Sequence, residues 1–272
     1  METVTSTRNA RVKAAAALTR RRERRATGRH LVEGPHAVTE ALAAGAVETV
    51  FATPEALEDV GQLPTGVEVV VVADHVLAHL ADTTTPQGVV AVAGDVTVGL
   101  EALPPEGLVV VLDRLADPGN VGGIVRTADA AGASAVVCTE GTADVLGPKA
   151  VRAAVGSTYH LPLVVGCDLA ALAGVARGQG RRLLGLDAGA DTSVLELAGE
   201  HDPLVLVLGN EAHGLDAEAR DVLDDVVSVP MRGAAESLNV AAAAAVAIYA
   251  AAPGRGGPGE AGGSGRPGSA NR

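Results

Sequence analysis

The sequence predicts an α/β protein in which a domain with a parallel sheet follows a smaller α/β unit. Along residues 108–252, short apolar segments typical of buried strands alternate with helical segments, the pattern of a parallel sheet covered by helices on both faces. Hydrophobic residues make up 47% of the 272 residues and aromatic residues only 1%, so Val, Leu and Ala must form the core. This composition excludes a wholly disordered chain, and the shortage of rings excludes an RNA-binding surface of stacked aromatics.

The predicted smaller unit spans residues 1–97 and begins with a basic N-terminal arm. Residues 8–25 are predicted to form one helix with arginines around its outside. The elements after it are a strand over 31–33, a helix over 36–44, strands over 47–52 and 67–73, a helix over 75–80 and a strand over 89–93. Asp74 is a suitable N-cap for the helix over 75–80. Residues 98–107, with Pro104 and Pro105, are predicted to be a linker.

The second unit, residues 108–252, alternates more clearly between the two element types. The predicted strands cover 108–112, 135–138, 161–165, 183–186, 204–208 and 226–229. The predicted helices cover 120–131, 148–155, 169–176, 217–223 and 238–251. Residues 253–272 are Gly, Pro, Ser and Arg with almost no apolar content, so this tail is predicted to be disordered.

Charge is distributed unevenly along the chain, whose formal net charge is −12. Residues 1–30 contain nine basic and two acidic residues, a balance of +7, and the rest of the chain contains 12 basic and 31 acidic residues, a balance of −19. A basic arm on an acidic body suggests a polyanionic partner that meets the arm first. A solvated arginine-rich helix is the alternative.

The sequence lacks the patterns of several classes of protein and site. No apolar run reaches the length of about 18 residues that a membrane helix needs, and no secretory signal is visible, so we expect a cytoplasmic protein without membrane contact. Cys138 and Cys167 form neither a disulfide framework nor a metal cluster. His75 and His79 have the i, i+4 spacing of metal ligands but no third ligand nearby, and we predict no metal.

The usual phosphate-binding loops are also missing. The sequence contains no GxxxxGK[ST] and no strand followed by GxGxxG, and the string over 119–123 has the wrong spacing. An ordinary dinucleotide-binding protein is therefore disfavoured but stays open.

Three polar segments each follow a predicted strand, where open α/β sheets place their ligands. The first, over 113–126, contains Asn120 and Arg126; the second, over 208–215, contains Gly209 and Glu211. The third, over 229–240, contains Val229, Met231, Ser237, Leu238 and Asn239. Taken singly, Asn120 and Ser237 could be helix caps and Glu211 could begin a helix. Because all three segments follow strands, a shared cleft explains them better.

Together, the three segments resemble the motifs of the SpoU (TrmH-like) RNA ribose 2′-O-methyltransferases of the SPOUT class. The family patterns are an Asn with an Arg six residues later, a Gly-x-Glu turn, and Pro-Met-x-Gly followed by Ser-Leu-Asn-Val, and all are present in order. The resemblance covers about residues 108–252. Residues 31–34 and 85–92 are similar, more weakly, to the accessory RNA substrate-binding domain of that family.

This resemblance implies a methyltransferase domain with a C-terminal trefoil knot that binds S-adenosyl-L-methionine mostly through backbone groups. By position these are at Gly209, Val229 and Leu238, with Met231 nearby. It also implies a homodimer whose active site is completed across the interface. The reaction would be methyl transfer to a ribose 2′-hydroxyl, with no metal.

The resemblance also assigns roles to side chains. Arg126 is the residue nearest the reacting hydroxyl, either as a base or, more defensibly for a guanidinium, as a group that stabilises developing negative charge. Asn120, Ser237 and Asn239 would position the ribose and Arg126. Glu211 would hold its turn or pair with a neighbouring positive group.

The target RNA is less determined than the reaction. The accessory domain and the basic arm favour ribosomal RNA over transfer RNA by analogy with the family. Two other functions stay open: a catalytically silent RNA-binding or antibiotic-resistance protein on the same scaffold, and an unrelated nucleotide-dependent α/β enzyme.

Overall fold

The computed structural model describes residues 2–60, 63–198 and 203–252. Within these ranges the chain forms an α/β fold with a four-stranded and a seven-stranded sheet. The larger sheet is parallel throughout, which confirms the predicted class. The predicted disordered tail, 253–272, lies outside the described residues. Among the residues that are described, no helix has both the length and the apolar character needed to cross a bilayer.

The four-stranded sheet belongs to the N-terminal part of the chain and has the order β1-β4-β2-β3. Its strands are β1 (Arg29–Glu33), β2 (Val47–Ala52), β3 (Glu68–Val71) and β4 (Val89–Gly94). The helices around it are α1 (Ala10–Ala17), α2 (Arg21–Thr27), α3 (Pro35–Ala43), α4 (Pro54–Val60) and α5 (Asp74–Leu80). Strand β4 runs antiparallel to both β1 and β2.

The seven-stranded sheet has the order β11-β9-β10-β6-β7-β8-β5. Its strands are β5 (Thr97–Val98), β6 (Leu108–Leu112), β7 (Ala135–Thr139), β8 (Leu163–Cys167), β9 (Arg182–Leu186), β10 (Leu204–Leu208) and β11 (Asp225–Val227). The helices are α6 (Pro118–Ala131), α7 (Pro148–Ala154), α8 (Leu169–Gly178), α9 (Ala217–Val222) and α10 (Val240–Ala251). Short 3-10 helices cover Leu100–Ala102, Ser157–Tyr159 and Val194–Leu197.

The central strands β6 and β10 are buried along their whole length, as their continuous apolar sequences predict. Successive side chains of a strand point to opposite faces of the sheet. Val110 and Leu206 therefore pack with α6 and α10 on one face, while Val109 and Val205 pack with α8 and α9 on the other. This alternation produces two cores separated by one sheet.

The predicted single helix over 8–25 is wrong, because the chain turns between α1 and α2. Leu18 is buried in the core under the first sheet, and the guanidinium of Arg24 turns back onto the chain. Its Nη1 donates to the carbonyl oxygens of Leu18 and Thr19 at 2.8 and 2.9 Å. Its Nη2 lies 2.6 Å from the carboxylate of Asp144 in the second unit. The basic segment is therefore an integral part of the fold and not a free arm.

The structure differs from the predictions in three smaller ways. Ala73, not Asp74, is the N-cap of α5, and Asp74 is its first residue. Helix α4 was not predicted. Thr97 and Val98 pair with Leu163 and Val164, so the seven-stranded sheet begins where the sequence predicts a boundary and a linker.

Helices α6 and α7 cross at a glycine. A Cβ on Gly122 would lie 2.1 Å from the carbonyl oxygen of Ala150 and 2.8 Å from Cβ of Ala153. The next residue, Gly123, has nothing within 4 Å of the corresponding position. The close approach of the two helices therefore requires glycine at 122 and not at 123.

This difference makes the two glycines a matched pair. Gly122→Ala should destabilise the protein by about 1–3 kcal/mol, the usual result of overfilling a packed contact. Gly123→Ala should raise its stability by up to about 1 kcal/mol, because alanine has the higher helix propensity. Urea unfolding of both variants checks this, and equal midpoints would contradict the tight α6–α7 crossing.

Candidate active site

The loops that carry the three polar segments meet at the carboxyl edge of the large sheet. They leave β6 after Leu112, β10 after Leu208 and β11 after Val227. A cavity of about 280 Å³ lies between two of these loops and the loop after β9. Its lining residues are Leu186, Asp187, Ala188, Leu208, Gly209, Asn210, Glu211, Gly214, Val229, Met231, Glu236, Ser237, Leu238, Asn239, Val240 and Ala243.

The turn after β10 is folded tightly on itself. Asn210 and Gly214 exchange backbone hydrogen bonds at 3.1 and 2.8 Å, and Oδ1 of Asn210 accepts from the N–H of Ala212 at 2.9 Å. A Cβ on Gly209 would lie 2.6 Å from the carbonyl oxygen of Gly214. Glycine at 209 is thus required for the backbone to close this turn beside the cavity.

Glu211 connects this turn to the loop after β6. Its carboxylate accepts from the backbone N–H of Ala116 at 3.0 Å, from that of Asp117 at 3.2 Å and from Nδ2 of Asn120 at 3.1 Å. Desolvation opposes ionisation of Glu211, but these hydrogen bonds outweigh it and hold the pKa below the ordinary value. Of the two roles suggested for Glu211, holding its turn is the one that the geometry supports.

Asn120 is not the N-cap of α6, so the alternative of Asn120 as a helix cap is wrong. Asp117 is the cap: its Oδ1 accepts from the N–H of Asn120 at 2.9 Å, and its other oxygen pairs with Nζ of Lys149 at 2.7 Å. The side chain of Asn120 is then available to the site. It donates to Glu211, and its Oδ1 lies 3.4 Å from Nδ2 of Asn239. Asn120, Glu211 and Asn239 thus form one chain of hydrogen bonds that connects the start of α6 with the loops after β10 and β11.

The loop of the third segment is longer than the predicted strand over 226–229 and helix over 238–251 allow. Strand β11 stops at Val227, and α10 begins at Val240. Its N-cap is Asn239, whose Oδ1 accepts from the N–H of Ala241 at 2.9 Å, so the alternative of Ser237 as the cap is wrong. Met231 and Leu238 are 37% and 42% exposed although both are apolar, and both line the cavity.

Arg126 is the one predicted site residue that lies apart. It is exposed on α6, about 9 Å along the helix axis from Asn120, and is not among the cavity lining. Within the described part of the chain it makes no hydrogen bond or ion pair. The structure therefore places Glu211, Ser237 and Asn239 in the cavity wall and Asn120 in hydrogen-bond contact with Glu211 and Asn239. Among the described residues, the guanidinium of Arg126 has no partner.

Sequence reasoning missed Arg114, which joins the same two loops on the other side. Its backbone has φ +54°, in the left-handed region. Its guanidinium lies 2.9 Å from Asp113 and 2.6 Å from Asp216, and its carbonyl accepts from Nδ2 of Asn210 at 2.7 Å. No local signal identifies this residue, because its partners are far apart in sequence. Asp117 could have been found, since Asp followed by Pro is a common start of a helix.

Comparison with known proteins follows the same division of the chain. The sequence model of the SpoU rRNA methylase family matches residues 107–249. The model of the MRM3-like substrate binding domain matches residues 9–91. The chain is 34% identical over 249 residues to the 23S rRNA (guanosine(2553)-2′-O)-methyltransferase RlmP of Bacillus subtilis, which covers 92% of this chain and 98% of that protein.

Solved structures agree over about nine-tenths of the chain. The AdoMet-bound rRNA methyltransferase of Sinorhizobium meliloti superposes with a TM-score of 0.83 at 30% identity, covering 92% of this chain and 97% of that one. The SpoU methyltransferase AviRb of Streptomyces viridochromogenes, in complex with AdoMet, superposes with a TM-score of 0.81 at 33% identity, covering 90% and 97%.

The carboxylate of Glu211 should make stability depend on pH. Its pKa is lowered on folding, so its contribution is present above the ordinary value of 4.5 and is lost as the pH falls through the lowered value. Glu211→Gln should therefore cost about 1 kcal/mol at neutral pH, a modest figure because the residue is exposed. Urea unfolding between pH 7 and pH 3 should show this difference shrink in acid.

The exposed Glu58 on α4 supplies the matched control. Glu58→Gln should change stability by less than about 0.5 kcal/mol at either pH. A Glu211→Gln deficit that stays constant across the titration would show that the carboxylate charge does not hold the two loops together.

Proposed function

Because this chain belongs to the SpoU rRNA methylase family, we propose that it transfers a methyl group from S-adenosylmethionine to a ribose 2′-hydroxyl of ribosomal RNA. The observation that carries the proposal is the cavity at the carboxyl edge of the large sheet. There the Asn120–Glu211–Asn239 chain of hydrogen bonds adjoins the apolar lining of Val229, Met231 and Leu238.

The cavity has the chemistry of an S-adenosylmethionine site. Exposed apolar side chains and the glycine turn at 209 suit an adenine ring held by backbone donors and acceptors. The charged residues in its lining, Asp187, Glu211 and Glu236, are all acidic. Asp187 pairs with Arg220, so Glu211 and Glu236 provide the negative charge that suits a cationic ligand. When bound, this cofactor supplies a methyl group on a positively charged sulfur, and relatives of this chain have been solved with it.

In the transfer, the 2′-oxygen forms a bond to the methyl carbon as the carbon–sulfur bond breaks, and the hydroxyl loses its proton to solvent or a nearby base. The protein must hold the hydroxyl in line with that bond. We assign this positioning to Asn120, Ser237 and Asn239, and assign to Glu211 the alignment of the loops that carry them. Arg126 stabilises the developing oxyanion and the adjacent phosphate, since a guanidinium with a pKa above about 12 rarely loses a proton.

A homodimer explains why Arg126 lies outside the cavity. Helix α10 exposes Ala242, Val246 and Tyr249, which follow one another at i, i+4 and i+7 and form one apolar stripe; Val246 and Tyr249 are 38% and 59% exposed. We propose that a second copy covers this stripe, and that its arrival places the free Arg126 of one protomer near the cavity of its partner.

We further propose that the C-terminal segment is threaded as a trefoil knot. Ser228 pairs with the loop after β9: its N–H donates to Thr192 at 2.8 Å and its carbonyl accepts from Val194 at 2.8 Å. The chain then leaves the edge strand β11, and Ala244 and Ile248 of α10 enter the core beside β10. A segment that passes a loop in this way and returns to the sheet centre supports the knot.

Ribosomal RNA is favoured over transfer RNA because a relative that matches over nearly its full length is named for 23S rRNA. Cytoplasmic localisation is proposed with the same substrate. The direct test incubates the protein with labelled S-adenosylmethionine and transcribed 23S rRNA or total tRNA, then maps 2′-O-methyl positions in RNA from cells with and without the gene. Label in tRNA alone would replace the proposed substrate, and label in neither would reject the reaction.

Arg126→Ala should lower turnover by at least about 100-fold, the usual cost of removing one donor to developing charge. Thermal stability and S-adenosylmethionine affinity should stay near wild type, because the side chain is exposed and outside the cavity. Arg126→Lys distinguishes the two possible roles: little rescue at any pH indicates bidentate charge stabilisation, and activity that recovers as pH rises indicates a base. Near wild-type turnover in Arg126→Ala would exclude both roles.

Tyr249→Glu should dissociate the dimer, since it buries a charge without a partner in an apolar contact. Sedimentation should show a monomer that keeps its fold but loses methyl transfer. Ala171→Glu, which adds the same charge to the exposed side of α8, is the matched control and should stay dimeric. A monomeric wild-type protein, or a dimeric Tyr249→Glu variant, would contradict the proposed interface.

A further inference from the structure

A second cleft, of about 220 Å³, lies at the same edge of the large sheet, beyond the ends of β7 and β8. It does not share a lining residue with the active-site cavity. One wall is the loop over 139–146, and the other is α2 with the start of β1. Arginines from this second wall face the cleft: Arg21, Arg24, Arg25 and Arg29.

The cleft keeps its shape because α2 is attached firmly to the large sheet. Arg24 is buried, and its Nε and Nη2 contact the carboxylate of Asp144 at 3.1 and 2.6 Å. Arg21 and Arg25 lie one turn apart on either side of this attachment and are exposed. The backbone positions that carry these two side chains are therefore fixed beside the cleft.

Four arginines and three carboxylates line the cleft, and only some of them are paired. Arg24 neutralises Asp144, Asp95 accepts from the N–H of Thr97, and Arg29 pairs with Glu48. Arg21 reaches Asp144 only at 3.9 Å, and within the described residues Arg25 has no ion pair or hydrogen bond. Two exposed cations, Arg21 and Arg25, thus face two carboxylates without an ion-pair partner among the described residues, those of Asp95 and Glu140.

The floor of the cleft is apolar where it meets solvent. Val165 on β8 is 43% exposed, which is unusual for a strand residue of a parallel sheet. Gly166 beside it has φ +68° and nothing within 4 Å of its Cβ position, so the space above it is open. An apolar floor below two guanidinium groups is suited to a base or ribose with its phosphate.

The cleft and the active-site cavity lie at the same edge of the sheet, and Arg114 stands between them. A Cβ on Gly141, in the wall of the cleft, would lie 3.0 Å from Cγ of Arg114, which connects the loops of the cavity. Between the ends of β10 and β8 there are three strand spacings, about 14 Å in all. This span corresponds to a few nucleotides of an extended strand.

We propose that this cleft binds a nucleotide of the substrate RNA that flanks the methylated one, with Arg21 and Arg25 on its phosphates and Val165 against its base or ribose. The proposal rests on the proposed function, since it makes the cleft a second contact for the same RNA. The basic segment then acts as a fixed clamp for one part of the substrate and not as a flexible arm.

Point substitutions test this, because removing residues 1–30 would also remove Val12, Ala15 and Leu18 from the core. The double variant Arg21→Gln with Arg25→Gln should weaken binding of transcribed 23S rRNA about ten-fold at 0.15 M salt. It should also flatten the slope of log affinity against log salt by about 1.5, the value for two lost phosphate contacts. Affinity for S-adenosylmethionine should not change.

Arg22 provides the control: it is exposed on the same helix but does not line the cleft. Arg22→Gln should change affinity by less than about two-fold, whereas Glu140→Gln should strengthen binding by removing a negative charge from the cleft. The proposal would be overturned if Arg22→Gln lost as much RNA affinity per substituted residue as the double variant. It would also be overturned if the double variant bound RNA with wild-type affinity.

The outcome is separable from that of the proposed function. If the wild-type protein methylates 23S rRNA and the double variant binds that RNA normally, the cleft assignment alone is wrong. If the wild-type protein methylates no RNA, the proposed function fails first, and binding of 23S rRNA without a cleft-specific loss would then reject both.

Discussion

The in-register pairing of β6 with β10 is the constraint on which the rest of the site depends. Leu108 lies opposite Leu204, and the pairing continues without a shift to Leu112 opposite Leu208. Parallel strands paired in this way end at the same level, so the loops that follow them emerge side by side. Only then can Glu211, in one loop, accept hydrogen bonds from the backbone of the other. The polar geometry of the site therefore depends on the packing of apolar strands.

Contacts between the N-terminal unit and the larger unit determine which surfaces lie side by side. Burial lowers the pKa of His30 to about 4, and its Nε2 lies 2.8 Å from Oη of Tyr159 in the larger unit. His160 lies between Asp129 of α6 at 2.7 Å and Glu40 of α3 at 3.1 Å. These contacts hold the basic N-terminal helices at the edge that carries the active-site cavity. The active-site cavity and the arginine-lined cleft consequently share one face of the protein.

The sequence motifs predict a shared cleft, but they do not show which of its residues contact one another. The structure places Asn120, Glu211 and Asn239 in hydrogen-bond contact, as a shared cleft requires. It assigns the cap of α10 to Asn239 and leaves Ser237 in the cavity wall, a choice that depends on where β11 ends. It also separates Arg126 from the cavity of its own chain. Motif spacing could not reveal that separation, because distance along a sequence does not specify distance to a cavity built by other loops.

The sequence by itself determined the α/β class, the parallel sheet and the positions of nearly all its strands. These follow from local periodicity and from continuous apolar runs, which any strand buried on both faces must have. Tertiary structure alone decided that the basic segment over 8–25 breaks into two helices. The break exists because Arg24, once buried, needs both the carbonyl of Leu18 and the carboxylate of Asp144, which is 120 residues away. A pattern within a short stretch of sequence cannot identify so distant a partner. A buried guanidinium nevertheless requires a partner, because burying an unpaired charge is energetically costly.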